Sequence, residues 1–342
     1  EWINDTLLRM FYMVTDPVKK YPVFRCDYFP MKADFMFLKG FAGDTLFYMI
    51  ERKKQIDPWQ YDQVEKILAL GDIHGEYEAL KNYLISNKII DHNLNWIWGD
   101  GHLVLLGDIF DRGDQVTETL WLIHQLDIKS RMEGGRVHLL LGNHEVMIMI
   151  DDVRYVSQKY RLFSQYFSRP YSSSYNRNTE LGKWLRRRNV AVKINGIVFS
   201  HAGMSQMVTE KKLTLERMNF LIHYFLAHDP KAPNMFARET NLLLGKSGPL
   251  WYRGYVYDFP DAPLITQEQV RQVLDFLKAE KKVIAHSEMK QVSALFNEKV
   301  IAIDLPVLNQ NTIAEGLLIE KGRYYRLLHS GQKIPLFEKN EE

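Results

Sequence analysis

Five times along this chain an apolar run ends in Asp, Asn or His beside a Gly or another small residue. Ile67-Leu68-Ala69-Leu70 runs into Gly71-Asp72-Ile73-His74-Gly75, and Leu103 to Leu106 runs into Gly107-Asp108-Ile109-Phe110-Asp111-Arg112-Gly113. Val137 to Leu141 runs into Gly142-Asn143-His144-Glu145. Gly196 to Ser200 leads to His201-Ala202-Gly203, and Lys282-Val283-Ile284 to Ala285-His286-Ser287. Asp, Asn and His supply the oxygen and nitrogen ligands that hard or borderline divalent metals favour. One such ending could equally be a cap. Five in order point to a centre that holds two metal ions. That centre suits a phosphoester. The substrate is anionic, so its nucleophile needs both activation and relief from charge repulsion, and two ions joined by a bridging carboxylate supply both.

The apolar runs are short and bounded by turn residues, as buried strands are. The chemistry therefore sits at the carboxyl ends of strands, where open α/β sheets bind ligands. Between the first two blocks, Glu76 to Asn87 reads as a helix with Leu80, Tyr83 and Leu84 inward, and Glu76 and Glu78 in its first turn suit the helix dipole. Gln115 to Ile128 reads as a second helix, so the blocks lie on a βαβαβ run with parallel pairing. Asn195-Gly196 signals a tight hairpin, and a further hairpin is expected across Lys321-Gly322. Leu213 to His228 and Gln267 to Lys281 read as helices.

Two segments are less regular. Met147 to Ser168 reads as an interrupted helix that must stop before Arg169-Pro170, with an exposed loop at Tyr171 to Asn176. Its aromatics, Tyr155, Tyr160, Phe163, Tyr166, Phe167 and Tyr171, could form a lid that selects substrate. Residues 1–62 are rich in aromatics and read as an appended β-hairpin: strands at 31–39 and 45–50 joined by a turn at Gly40-Phe41-Ala42-Gly43-Asp44. The expected organisation is an N-terminal extension, 1–62, and a catalytic domain, 63–335, that carries a lid insertion at 146–180.

The five blocks resemble the calcineurin-like metallophosphoesterases, most closely the phosphoprotein phosphatase branch with its bacterial-type, Shewanella-like relatives. That family's pattern is GDxHG, GDxxDRG, GNHE, a His in HAG or HGG, and a late His. Gly248-Pro249-Leu250-Trp251-Tyr252-Arg253-Gly254 looks like its Trp-x-Arg segment. The resemblance covers about two thirds of the chain. It implies an α/β fold, a four-layer α/β/β/α sandwich with two mixed sheets. It also implies two divalent ions, Mn favoured and Fe or Zn also suitable. Asp72, His74 and Asp108 would hold the first; Asp108, Asn143, His201 and His286 would hold the second. Arg112 and Arg253 would clamp phosphate oxygens, for which the guanidinium fork is suited. His144, kept charged by Asp111, would protonate the leaving oxygen as a general acid. Attack would be in line, by a hydroxide shared between the ions, with no phosphoenzyme. One departure is Ala285-His286-Ser287, where relatives often have Gly-His-Thr or Arg-Ala-His-Gln. The His is kept, so metal binding should survive.

The expected activity is thus that of a metal-dependent phosphomonoesterase acting on a phosphorylated protein or peptide, at Tyr or Ser/Thr, or on a small phosphoester. A dinucleoside polyphosphate hydrolase of the diadenosine-tetraphosphate type shares the blocks and is the alternative. A cyclic-nucleotide phosphodiesterase and a non-catalytic metal-binding scaffold stand further off. Lys and Arg number 44 against 42 Asp and Glu, which argues against a nucleic-acid partner. Arg186-Arg187-Arg188 reads as a solvated helix end. The single cysteine, Cys26, excludes a disulfide framework, and with Lys32 six positions on it does not make the Cys-x5-Arg loop of a cysteine phosphatase. No run of about 18 apolar residues exists to span a membrane. The first residue is Glu1 rather than Met, so a removed leader, and with it a cytoplasmic or a periplasmic home, stays open.

Overall fold

Lys66–Leu70, His102–Leu105 and Arg136–Leu139 pair in parallel in chain order, joined by the helices Tyr77–Ser86 and Val116–Met132. This is the βαβαβ run expected from the spacing of apolar segments. The computed structural model describes residues 1–15, 18, 20, 22–39, 47–53, 55–230, 232–307 and 312–337. The same sheet continues through Glu315–Glu320, antiparallel to Lys66–Leu70, then Arg323–Leu328 and Lys333–Pro335. A second six-stranded sheet runs in the order Ser293–Leu295, Val300–Ala302, Lys281–Ile284, Ile197–Ser200, Ala191–Ile194, Gln60–Tyr61. Both sheets are mixed.

Successive strand residues point to opposite faces, which explains why these strands are apolar at nearly every position. Ile67, Ala69, Val104, Phe199, Val283 and Ile301 form a core between the two sheets. Leu68, Leu70, Leu105, Val198 and Ile284 belong to the other large core, with the helix residues Leu80, Leu120, Leu221 and Val273. The result is the four-layer α/β/β/α sandwich. Its hairpin at Asn195-Gly196 has both residues at positive φ, 50° and 77°, as the tight primed turn demands.

Three expectations are corrected. The N-terminal extension holds more than the expected hairpin. Trp2–Asn4, Leu7–Thr15 and Pro22–Pro30 form a three-stranded antiparallel sheet, and Phe35–Lys39 pairs separately with Phe47–Glu51. The turn expected at Gly40 to Asp44 lies outside the described residues. The extension is tied down by Trp2 Nε1 donating to Glu180 (2.7 Å) and by Gln125, which bonds both backbone groups of Met49. Tyr171 to Asn176 is not an exposed loop. It is a 3-10 turn, Tyr171–Tyr175, whose two tyrosines are buried beside Tyr160 because their hydroxyls bond each other and Thr117. Tyr160 and Tyr171 therefore belong to the core, and only Tyr155, Phe163 and Tyr166 keep large exposed surfaces. Arg188 is no solvated helix end either: it is buried between Asp57 (2.8 Å) and Asp127 (3.3 Å).

The second sheet also buries a lysine. Lys282 Nζ donates to Ser200 Oγ (2.5 Å), which donates to the Ala202 carbonyl (2.7 Å) in the turn after His201. Burial pushes the Lys282 amine down to about 7 from 10.5. Between those values the unfolded chain binds a proton that the folded chain lacks. Stability therefore falls as pH drops through that window, by a few kcal/mol at pH 7. Lys282→Met should raise the melting temperature at pH 7 and raise it less at pH 9.5. An equal gain at both values would contradict this account.

Candidate metal centre and active site

The strand ends converge. Gly107, at φ 98°, and Gly142 sit back to back: a Cβ on Gly107 would lie 2.4 Å from the Gly142 nitrogen, and one on Gly142 would lie 2.2 Å from Asp108 Oδ1. Glycine at both positions lets the Asp108 turn and the Asn143 helix start touch. Glu145, wholly buried, locks that contact. Its carboxylate accepts the backbone N–H groups of Asp108 (2.8 Å), Ile109 (2.7 Å) and Gly142 (2.7 Å). Glu145→Gln puts an amide N–H against those donors and should cost about 2–3 kcal/mol, read from the denaturation midpoint. An unchanged midpoint would sink the clamp.

His74, Asp108, Asp111, Arg112 and His286 all have positive φ, between 47° and 68°. Non-glycine residues held there cost about 1–3 kcal/mol each and cluster where function requires them. Of these, the side chains of His74, Asp108 and His286 enter one buried cluster. Oxygen or nitrogen atoms of Asp72, Asp108, His201 and His286 lie within 4.8 Å of one another, and so do those of His74, Asp108 and His144. Asp108 is common to both groups. The expected partition placed Asp72 with His74, and that pair is indeed 3.7 Å apart, but Asp72 also stands 3.7 Å from His201.

Hydrogen bonds fix which atoms could face a cation. A backbone carbonyl only accepts, so His201 Nδ1, 2.9 Å from Leu106 O, carries a proton, and Nε2 is the ring nitrogen turned to the centre. That Nε2 meets Asn143 Oδ1 at 2.9 Å, His286 Nδ1 at 3.0 Å and Asp108 Oδ2 at 3.3 Å. His74 Nδ1 likewise donates to Phe110 O (2.7 Å), leaving a buried Nε2 with no hydrogen-bond partner among the described residues. It points toward Asp72 Oδ2 (3.7 Å) and Asp108 Oδ2 (3.9 Å). Carboxylate oxygens and imidazole nitrogens converging at one buried point suit a bound cation. The residues present therefore fit divalent metal.

The charges agree. Burial and the nearby Asp304 and Asp108 carboxylates push Asp72 well above the usual carboxylate range. Burial also raises Asp304, to about 6. Burial opposes ionisation of Asp108 too, but the imidazoles of His201 and His144 hold it well below that range. Burial pushes His74 down to about 4 and His286 far below the ordinary value, so both are neutral and able to donate electron pairs.

His144 differs from the other imidazoles. Its Nδ1 is 2.5 Å from Asp111 Oδ2, and its Nε2 lies 3.7 Å from Asp108 Oδ2. Against the cost of burial, the Asp108 charge and the Asp111 bond raise its pKa, which favours the protonated ring. Arg112 is exposed beside the cluster, its charge felt at Asp72 and His74. Arg253 is half-buried and bonds the His286 carbonyl. Both expected arginines thus lie at the centre's edge. Asp304 was not among the expected residues, although Val300-Ile301-Ala302-Ile303 before it is a sixth apolar run ending in Asp. His102 and His138 stay apart, bonded to each other (3.1 Å) under Tyr61.

Residues 65–288 match the model of the calcineurin-like phosphoesterase family. The chain belongs to that family. It is similar to the cold-active protein-tyrosine phosphatase of a psychrophilic Shewanella species, with 34% identity and a TM-score of 0.81 over 96% of this chain and 99% of that one. Shewanella-like protein phosphatase 1 of Plasmodium berghei is 29% identical over 74% of this chain and 71% of its own length. A symmetrical bis(5'-nucleosyl)-tetraphosphatase of Xylella fastidiosa is 33% identical, but over only 26% of this chain. This calcineurin-like phosphoesterase is a phosphoester hydrolase with a buried Asp/His cluster able to bind metal. Among the described residues no helix is long and apolar enough to cross a membrane.

Proposed function

We propose that the chain is a protein phosphatase in which Asp72, His74, Asp108, Asn143, His201 and His286 hold two divalent ions, Mn first among the candidates. The observation that carries this is the convergence of Asp72, Asp108, His201 and His286, and of His74 with the same Asp108, within one buried centre. Bound there, the ions would activate water at neutral pH and polarise the phosphoryl oxygens. Arg112 and Arg253 bind the remaining phosphate oxygens. His144, oriented by Asp111, gives its Nε2 proton to the departing oxygen. Residues 63–335 form the catalytic unit, 1–62 brace it, and 146–180 border the substrate side.

Protein-phosphate substrates are favoured by two relatives, each of which shares most of its length with this chain. The test is a panel of phosphotyrosine, phosphoserine and phosphothreonine peptides beside diadenosine tetraphosphate, with the Mn-loaded protein. Peptide hydrolysis at least about tenfold more efficient than dinucleotide cleavage is expected. The reverse order would replace this reading with the nucleotide one.

A further inference from the structure

Tyr155 is 49% exposed, yet the backbone that carries it is unusually well held. Its own carbonyl accepts the N–H of Arg112 (3.3 Å). The Arg161 guanidinium bonds the carbonyls on either side, Arg154 O and Val156 O at 2.8 Å each and Val153 O at 3.4 Å. Four consecutive carbonyls are pinned by two arginines, in a segment that belongs to no helix or strand. The ring they present lies 5.4 Å from the His144 ring, tilted by 46°. Core packing does not explain this, because nearly half the side chain meets solvent.

The geometry points to Tyr155 as the residue that recognises an aryl leaving group, the phenyl ring of phosphotyrosine above all. This rests on the phosphatase reading of the site. In that reaction a water oxygen bonds to phosphorus and releases its proton to solvent. The P–O(aryl) bond breaks with its electron pair on the phenoxide oxygen, which takes a proton from His144 Nε2. The phenyl ring must then lie just beyond His144, where Tyr155 offers a flat, pre-held face. Offset or tilted ring pairs at such separations gain energy beyond mere area burial, and an alkyl phosphoserine has no ring to gain it. Because the wall is tied to Arg112, ring and phosphate are gripped by one rigid segment, which favours a productive pose.

The experiment compares the metal-loaded wild type with Tyr155→Ala and Tyr155→Phe on one peptide sequence carrying either phosphotyrosine or phosphoserine. Tyr155→Ala should lower kcat/KM for phosphotyrosine by about three- to tenfold and change phosphoserine by less than about twofold. Tyr155→Phe, which keeps the ring, should behave as wild type. Equal losses on both peptides, with a displaced basic limb of the pH profile, would make Tyr155 a support for His144 and overturn the proposal. No loss on either would overturn it too. Calorimetric binding of phenylphosphonate against methylphosphonate gives a reading free of turnover. Wild type should prefer phenyl, and Tyr155→Ala should lose that preference. If wild type hydrolyses neither peptide, the phosphatase reading fails, and the phosphonate pair still decides on the ring.

Discussion

Asp108→Asn should remove hydrolysis of every phosphomonoester, by more than about a thousandfold, while leaving the fold intact. The substitution is nearly isosteric, so the close contact at Gly142 survives. What changes is charge. Asp108 Oδ2 lies 3.3 Å from His201 Nε2, 3.7 Å from His144 Nε2 and 3.9 Å from His74 Nε2, within reach of both halves of the centre. An amide there cannot bridge two cations. In the metal-stripped protein the imidazoles of His201 and His144 hold Asp108 ionised, so losing that charge should lower the melting temperature at neutral pH. In the presence of Mn the variant should lack the stabilisation that wild type gains by ligand linkage. A variant that keeps the Mn-dependent shift and the activity would remove Asp108 from the centre.

His144→Asn should cost between about 10² and 10⁴ in kcat, and the cost should depend on the leaving group. Asparagine can still bond Asp111, whose Oδ2 now meets the His144 ring at 2.5 Å, so the pocket should not collapse. The proton is lost. An alkoxide leaves poorly without one, a tyrosyl phenoxide less so, and p-nitrophenolate hardly needs one. The loss should therefore be largest for phosphoserine, smaller for phosphotyrosine and smallest for p-nitrophenyl phosphate. The basic limb of the pH profile should vanish with it. A uniform loss across the three substrates would assign His144 to metal binding, in line with its place beside His74 and Asp108.

Much of this site is legible in the sequence because strand and ligand come together in the chain. Each of the five expected blocks pairs an apolar run, readable by its length, with a polar end, readable by its chemistry. Parallel pairing then carries the ends of Lys66–Leu70, His102–Leu105 and Arg136–Leu139 to one edge. Asp304 carries the same signal but lies in a segment read for its strands alone. Features made by long-range contact are harder. Nothing local says that Arg188 will reach Asp57 and Asp127, or that Lys282 will be buried with Ser200 as its hydrogen-bond partner. The tyrosines of the lid divide between core and surface because Tyr160, Tyr171 and Tyr175 find Thr117 and one another. Their spacing in sequence does not distinguish them from Tyr155.

The most direct test strips the protein of metal with a chelator, then titrates Mn while bound metal and p-nitrophenyl phosphate turnover are measured in the same samples. Hydrolysis that is absent without metal and rises to its full value as occupancy approaches two ions per chain is the predicted result. Full turnover in the metal-free protein, or none with two ions bound, would contradict the account at its centre.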